Sequence, residues 1–284
     1  MRFVSYQGLY LMNKYQQNLG LIFVLFSFVA CTQKNSNNQT LQANSDTKFI
    51  NSKSFIDSNE FYIIKAKFPT EHRDKDSLMY KFIMRDIAQY QEDWKIGGED
   101  YKAEKELSKE FPDRLKYQYE YGADFTIDEA KKLGYVTYNF ITYNYMGGAH
   151  PNSMATNFTF GEEGYIDVDK VFDNEYSKMV SLTRILAKKL LEQNKQTIVK
   201  EFMNEGLGLA YLNPDGSFNQ KKSNSDGFNF ASNFSVFSIK DDGIIFTMQQ
   251  YAVGPYAAGM PEAFINWKEL KPYLNPEFIA KNKI

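Results

Sequence analysis

Residues 19–30 form an apolar block, Leu-Gly-Leu-Ile-Phe-Val-Leu-Phe-Ser-Phe-Val-Ala, and the chain after it turns polar, rich in Asn, Ser and Gln up to about residue 59. Crossing a bilayer takes about twenty apolar residues, so a block of about twelve fits the core of a signal peptide instead. The polar stretch is poor in periodic apolar residues and predicts a flexible tether over residues 31–59.

Regular patterning starts at residues 61–68, Phe-Tyr-Ile-Ile-Lys-Ala-Lys-Phe, a strand stopped by Pro69. Met79, Phe82, Ile83, Ile87 and Tyr90 then recur at helical spacing behind the candidate caps Asp74 and Asp76, which predicts an amphipathic helix packed on a sheet. Residues 101–111 continue as a charged surface helix. Residues 114–127 and 135–146 alternate as antiparallel strands, and 157–160 with 165–168 make a further hairpin through Gly161 and Gly164. Met179, Leu182, Ile185, Leu186 and Leu190 predict a helix on a second sheet. Beyond it come a turn at Asn213-Pro214-Asp215-Gly216, a loop over 220–229 and a hairpin of 234–239 with 244–249 about Asp241-Asp242-Gly243. A last strand at 264–267 and a helical turn at 268–274 close the pattern. Helices and meanders alternate without a regular βαβ rhythm, so the expected class is α+β. Two small antiparallel-sheet domains are expected, each packed with one or two helices, at 60–170 and 171–284.

Composition changes this picture at one position. Cys31 is the only cysteine of the 284 residues and directly follows the apolar block, in Phe28-Val29-Ala30-Cys31. A small residue before a cysteine at the end of such a block resembles a lipobox, although Phe28 stands where Leu is usual. The thiol is what a diacylglycerol thioether requires; the plainer alternative is a lone buried cysteine. Residues 1–30 then form a lipoprotein signal peptide and Cys31 a lipid anchor in a membrane. Met12-Asn13-Lys14 would make a more compact basic start than Met1. No acidic run follows Cys31, which points to the periplasmic face of the envelope. With Cys31 acylated, no thiol is left for a disulfide, a metal or nucleophilic catalysis. Loss of Arg2 and Lys14 with the leader moves the formal charge from −2 to −4. Such mild acidity argues against nucleic acid as a partner.

Two segments are more specific than any periodicity. They are Tyr145-Met146-Gly147-Gly148-Ala149-His150-Pro151-Asn152 and Tyr251-Ala252-Val253-Gly254-Pro255-Tyr256-Ala257-Ala258-Gly259. Together they resemble the paired extracytoplasmic domains DUF4163 and DUF3298. The first is similar to that family's strand ending in Gly-Gly-Ala-His, with Asp169-Lys170-Val171-Phe172 as the turn that follows. The second is similar to its Tyr-x-x-x-Pro-Tyr-Ala-x-Gly loop, with the Leu-Lys-Pro-Tyr-Leu ending at 270–274. Pro151 stands where Gly is usual and Ala252 where Glu is usual. Similar domains form the sensor of a lysozyme-binding anti-sigma factor or accompany a polysaccharide deacetylase domain in wall-modifying enzymes. The resemblance covers neither a deacetylase domain nor an anti-sigma segment here, so it implies a recognition module.

The candidate chemistry is sparse. His150 follows a Gly-Gly turn at a strand end, and His72 is the only other histidine. A general base or zinc ligand would need partners, and no His-x-x-x-His, His-Glu-x-x-His or Gly-x-Ser-x-Gly motif supplies them. The expected role of His150 is a ring bonded to backbone in a tight turn. Gly147 and Gly148 fit positive-φ turn positions better than a phosphate cradle, since no helix start follows. Pro255 and Gly259 frame Tyr256, which serves equally well as a rigid aromatic anchor or as packing. Tyr145 and Tyr251 are the remaining ligand-binding candidates. Asp124, Asp128 and Glu129 do not have the spacing of a glycosidase pair. No catalytic residue, metal set or cofactor is assigned. The expected function is an envelope lipoprotein that binds a protein or glycan partner, such as a lysozyme-like muramidase or peptidoglycan. The alternatives are a wall-glycan hydrolase with His150 in its site and a largely structural envelope component.

Overall fold

A computed structural model of the chain describes residues 51–70, 73–113, 118–222 and 227–284. The apolar block, Cys31 and His72 lie outside them.

The first sheet has six strands in sequential order. β1 (Ser52–Ser58) pairs antiparallel with β2 (Tyr62–Pro69). Residues 52–58 are therefore strand, not tether; their polar composition reflects an edge position that buries little. Two helices follow, α1 (Arg73–Asp93) and α2 (Glu99–Glu110). They carry the chain back across the sheet, so β3 (Tyr119–Ala130) runs parallel to β2, with Ile64 opposite Tyr121. One pair in the sheet is thus not antiparallel, because a parallel neighbour requires a long crossover and the two helices provide it. β4 (Tyr135–Tyr145), β5 (Asn152–Gly161) and β6 (Gly164–Ile166) complete an antiparallel meander.

Met79, Ile83, Ile87 and Tyr90 of α1 are buried against Ile64, Ala66, Tyr138, Phe140 and Phe158. Burying a side chain of this size contributes about 2 kcal/mol, so this one stripe fixes the helix to its sheet. The opposite face of the sheet is polar over much of β3, β4 and β5. That is why alternation of apolar residues does not reveal the first half of β5.

The second sheet is the antiparallel meander β7 (Phe237–Lys240), β8 (Gly243–Thr247) and β9 (Glu262–Asn266). A short α3 (Val168–Val171) leads to α4 (Tyr176–Gln193), whose Leu182, Leu186 and Leu190 are fully buried in one core with Ile239, Ile244, Phe246 and Ile265. α5 (Lys200–Gly206), α6 (Trp267–Leu270) and α7 (Pro276–Asn282) finish this half. The pattern gave no sign of α5 or α7. For α7 the local signal exists: Asn275 caps the backbone N–H of Glu277, and Pro276 occupies the first turn.

The described residues all fall within one compact unit of the chain. Within it β7 lies against β3, β4 and β5. The two layers are joined where Ser238 donates to Asp128 and where the Lys132 N–H donates to Asp241 at 2.8 Å. Tyr135 also stacks on Phe278 of α7, centroids 5.9 Å apart.

Candidate functional site

The two motif segments, about a hundred residues apart in sequence, meet in the fold. His150 stacks on Tyr256 with ring centroids 3.6 Å apart and planes 18° apart. Tyr251 completes the cluster, 6.1 Å from Tyr256, and its hydroxyl lies 3.1 Å from His150 Nε2. His150 Nδ1 lies 3.3 Å from the Pro151 carbonyl. A carbonyl only accepts, so Nδ1–H donates to Pro151, while the Tyr251 hydroxyl can either donate to Nε2 or accept from it. One ring nitrogen thus bonds to backbone as expected, and the other bonds to a side chain. Tyr251 is exposed, while His150 and Tyr256 are half-buried.

Local chemistry explains each placement. The Ala252 N–H bonds to the Gln249 carbonyl, closing a turn whose third residue, Tyr251, has φ 65°. A turn of that hand favours Gly there, and a bulky side chain costs about 1 to 2 kcal/mol. Pro255 precedes a single helical turn at residues 256–258, and Gly259 ends it at φ 65°, ψ −133°. Gly147 has φ 72° as expected, but Gly148 does not adopt a positive φ. Tyr145 is placed away from the stack, its hydroxyl donating to the Gly148 carbonyl at 3.1 Å and so closing the Gly-Gly turn.

Two residues that the sequence reading passed over hold the loops together. Gln249 accepts from the Ala155 N–H at 3.0 Å and donates to the Ala155 carbonyl at 2.7 Å. Gln250 accepts from the Ser153 N–H at 2.9 Å. Side-chain amides thus replace a neighbouring strand along this edge of β5. Their signal was their position directly before the Tyr251 motif.

A cleft of about 680 Å³ lies between the sheets. Its floor is the polar face of the first sheet, including Asp124, Thr126, Asp128, Asn139, Ile141 and Asn157, and the second sheet adds Ser238, Lys240, Thr247 and Glu262. Lys240 forms an ion pair with Asp128, which also accepts from Ser238 at 2.7 Å and Asn139 at 2.9 Å. Burial opposes ionisation of Asp128, but the bonds from Lys240, Ser238 and Asn139 outweigh it and hold the carboxyl below its usual range. Asn139 Oδ1 is buried without a hydrogen-bond partner among the described residues. No group of three His, Cys, Asp or Glu side chains among the described residues is arranged to hold a metal ion.

Comparison with known proteins finds two family matches along the chain. Residues 56–153 match the family described as "Deacetylase PdaC", and residues 169–268 match "Protein of unknown function (DUF3298)". The chain is also similar to the peptidoglycan-N-acetylmuramic acid deacetylase PdaC of Bacillus subtilis, 23% identical over 235 residues. That similarity covers 80% of this chain and 43% of the relative, so the chain spans less than half of the relative's length. Among solved structures, a DUF3298-family member from Bacteroides fragilis is similar at 17% identity and a TM-score of 0.49, covering 82% of this chain and 96% of that one. A DUF3298-family protein from Pseudomonas aeruginosa is similar at 12% identity and a TM-score of 0.43, covering 81% and 96%.

Proposed function

We propose that this chain is a cell-envelope lipoprotein, anchored through Cys31, whose extracytoplasmic part recognises peptidoglycan through His150, Tyr251 and Tyr256. The observation that carries this reading is the meeting of two distant motif loops in one partly exposed aromatic cluster, with Tyr251 kept in a backbone conformation unfavourable for its type. Strain of this kind collects at functional positions. Flat aromatic rings with polar tips suit the apolar faces and hydroxyl rims of sugars. The similarity to a peptidoglycan deacetylase supports the wall as the source of the ligand. We read residues 60–170 and 171–284 as two domains that each supply one loop.

A muramidase-like protein is the second reading, favoured by α5. Gly206 of this helix lies against Ala252 of the motif loop, Phe202 is 42% exposed on the helix, and Val199, just before it, is 46% exposed. Exposed apolar side chains beside aromatic anchors have the composition of the core of a protein interface. Hydrolysis with His150 as base draws less support. Its ring nitrogens are engaged by the Pro151 carbonyl and the Tyr251 hydroxyl, and among the described residues no carboxylate hydrogen-bonds to it.

The test is co-sedimentation of the full chain, purified in mild detergent, with purified sacculi. Wild type is expected to bind, and Tyr256→Ala to bind about tenfold more weakly, the loss of one aromatic anchor. Unchanged retention of the variant would overturn the assignment of the cluster. Capture of lysozyme but not of sacculi would favour the protein partner.

A further inference from the structure

We propose that the cleft between the two sheets is a second binding site, which takes an uncharged saccharide of roughly two to three rings, as its volume allows. The cleft lies apart from the aromatic cluster and has its own chemistry. The inference rests on the reading above only in taking wall glycan as the source of the sugar.

Four features of the cleft select this ligand. First, polar groups stand ready in it: the Thr126 hydroxyl and the Asn157 carboxamide make no hydrogen bond among the described residues, although both line the space. Neutral donors and acceptors of this kind match sugar hydroxyls and acetamido groups. Second, its charges largely cancel. Lys240 neutralises Asp128, and Lys67 lies 3.0 Å from Asp124. Glu262 accepts from Thr247 at 3.2 Å and leaves the lining slightly negative, which disfavours an acidic ligand. Third, Ile141, which is 47% exposed, and Met260 provide apolar surface for the C–H faces of sugar rings.

Fourth, the cleft is unsuited to an extended peptide. Its walls are sheet faces, whereas strand addition needs a free sheet edge. The edge of β5 nearest the loop is occupied at Ser153 and Ala155 by Gln250 and Gln249. The chain leaves the cleft at Thr247 and returns at Met260, and the intervening loop carries Tyr251 and Tyr256. A long glycan lying in the cleft would therefore continue towards the aromatic cluster.

The experiment is a calorimetric titration of the full chain in detergent with tri-N-acetylglucosamine. A saturable heat is expected, with affinity weakened about tenfold when Thr126→Val and Asn157→Ala are combined, as for loss of hydrogen bonds to the ligand. Because neither side chain makes a hydrogen bond among the described residues, the double variant should melt as wild type does. Asn157→Tyr, which fills the space, is expected to remove the part of the heat that belongs to the cleft, and that part should persist when the aromatic cluster is saturated separately with sacculus fragments. The inference is overturned if the trisaccharide gives no heat or if the cleft variants bind it as wild type does. It is equally overturned if a free wall stem peptide displaces it from the cleft. Sacculus binding that is lost in Tyr256→Ala but kept in the cleft variants would leave the aromatic site standing and remove this one. Trisaccharide binding without sacculus binding would do the reverse.

Discussion

Asp128 of β3 and Lys240 of β7, 112 residues apart, meet between the sheets, each less than a third exposed. Removing one member of such a pair leaves a partly desolvated charge alone. Lys240→Met is therefore expected to cost about 2 kcal/mol at neutral pH, measured by denaturant unfolding. The sign of the pH dependence follows from the carboxyl being held below its ordinary value of 3.8. Its stabilisation is complete above that value and is lost as pH falls through the folded-state pKa. The gap between wild type and variant should close in acid. A gap that stays constant from neutrality to about pH 2 would show that the pair contributes no ionic stabilisation. Neither residue stood out in the sequence. Asp128 is one polar residue in an alternating strand and Lys240 merely precedes an Asp-Asp-Gly turn, so only folding reveals the pair. His150, Tyr251 and Tyr256 could be singled out as candidates because the segments that carry them resemble motifs of a known family. Their mutual stacking was not legible, since nothing local encodes a contact across a hundred residues.

Among the elements, carboxamide side chains recur as substitutes for missing strands. Gln249 and Gln250 occupy the edge of β5. At β9, Gln193 donates to the Phe264 carbonyl and accepts from its N–H, while Asn194 donates to the Glu262 carbonyl. Each amide offers both a donor and an acceptor, so one residue can satisfy both groups of a strand position. Gln249→Leu should leave the Ala155 N–H and carbonyl without partners, at a cost of about 2 kcal/mol. Amide hydrogen exchange should show a selective loss of protection at Ala155; protection kept there would refute the capping role. Helices with a continuous apolar stripe, α1 and α4, were readable from their period. β1 was not, because an exposed edge strand has the composition of a linker. α5 was missed because seven residues with one buried side chain, Met203, give no period to count.

For the whole molecule, the class was legible because patterning switches between periods of about two and 3.6 along the chain. The parallel β2 and β3 pairing was not, since the helices predicted between the two strands allow the chain to return to the sheet in either direction. Among the described residues no helix is long and apolar enough to cross a membrane. Retention at a membrane is what tests the proposed anchor. Cys31→Ser should move the protein to the soluble envelope fraction and abolish palmitate labelling, and a variant still sedimenting with membranes would refute it.

The three hydrogen bonds from Gln249 and Gln250 to β5 have a mechanical meaning. The loop belongs to the second sheet, yet it grips the first, so it acts as a strut that sets the distance between the layers. Thermal separation of the layers on this side must first pull those amides off the strand. Gln249 and Gln250 directly precede Tyr251, so a displacement that pulled them off the strand would carry the Tyr251 turn with it.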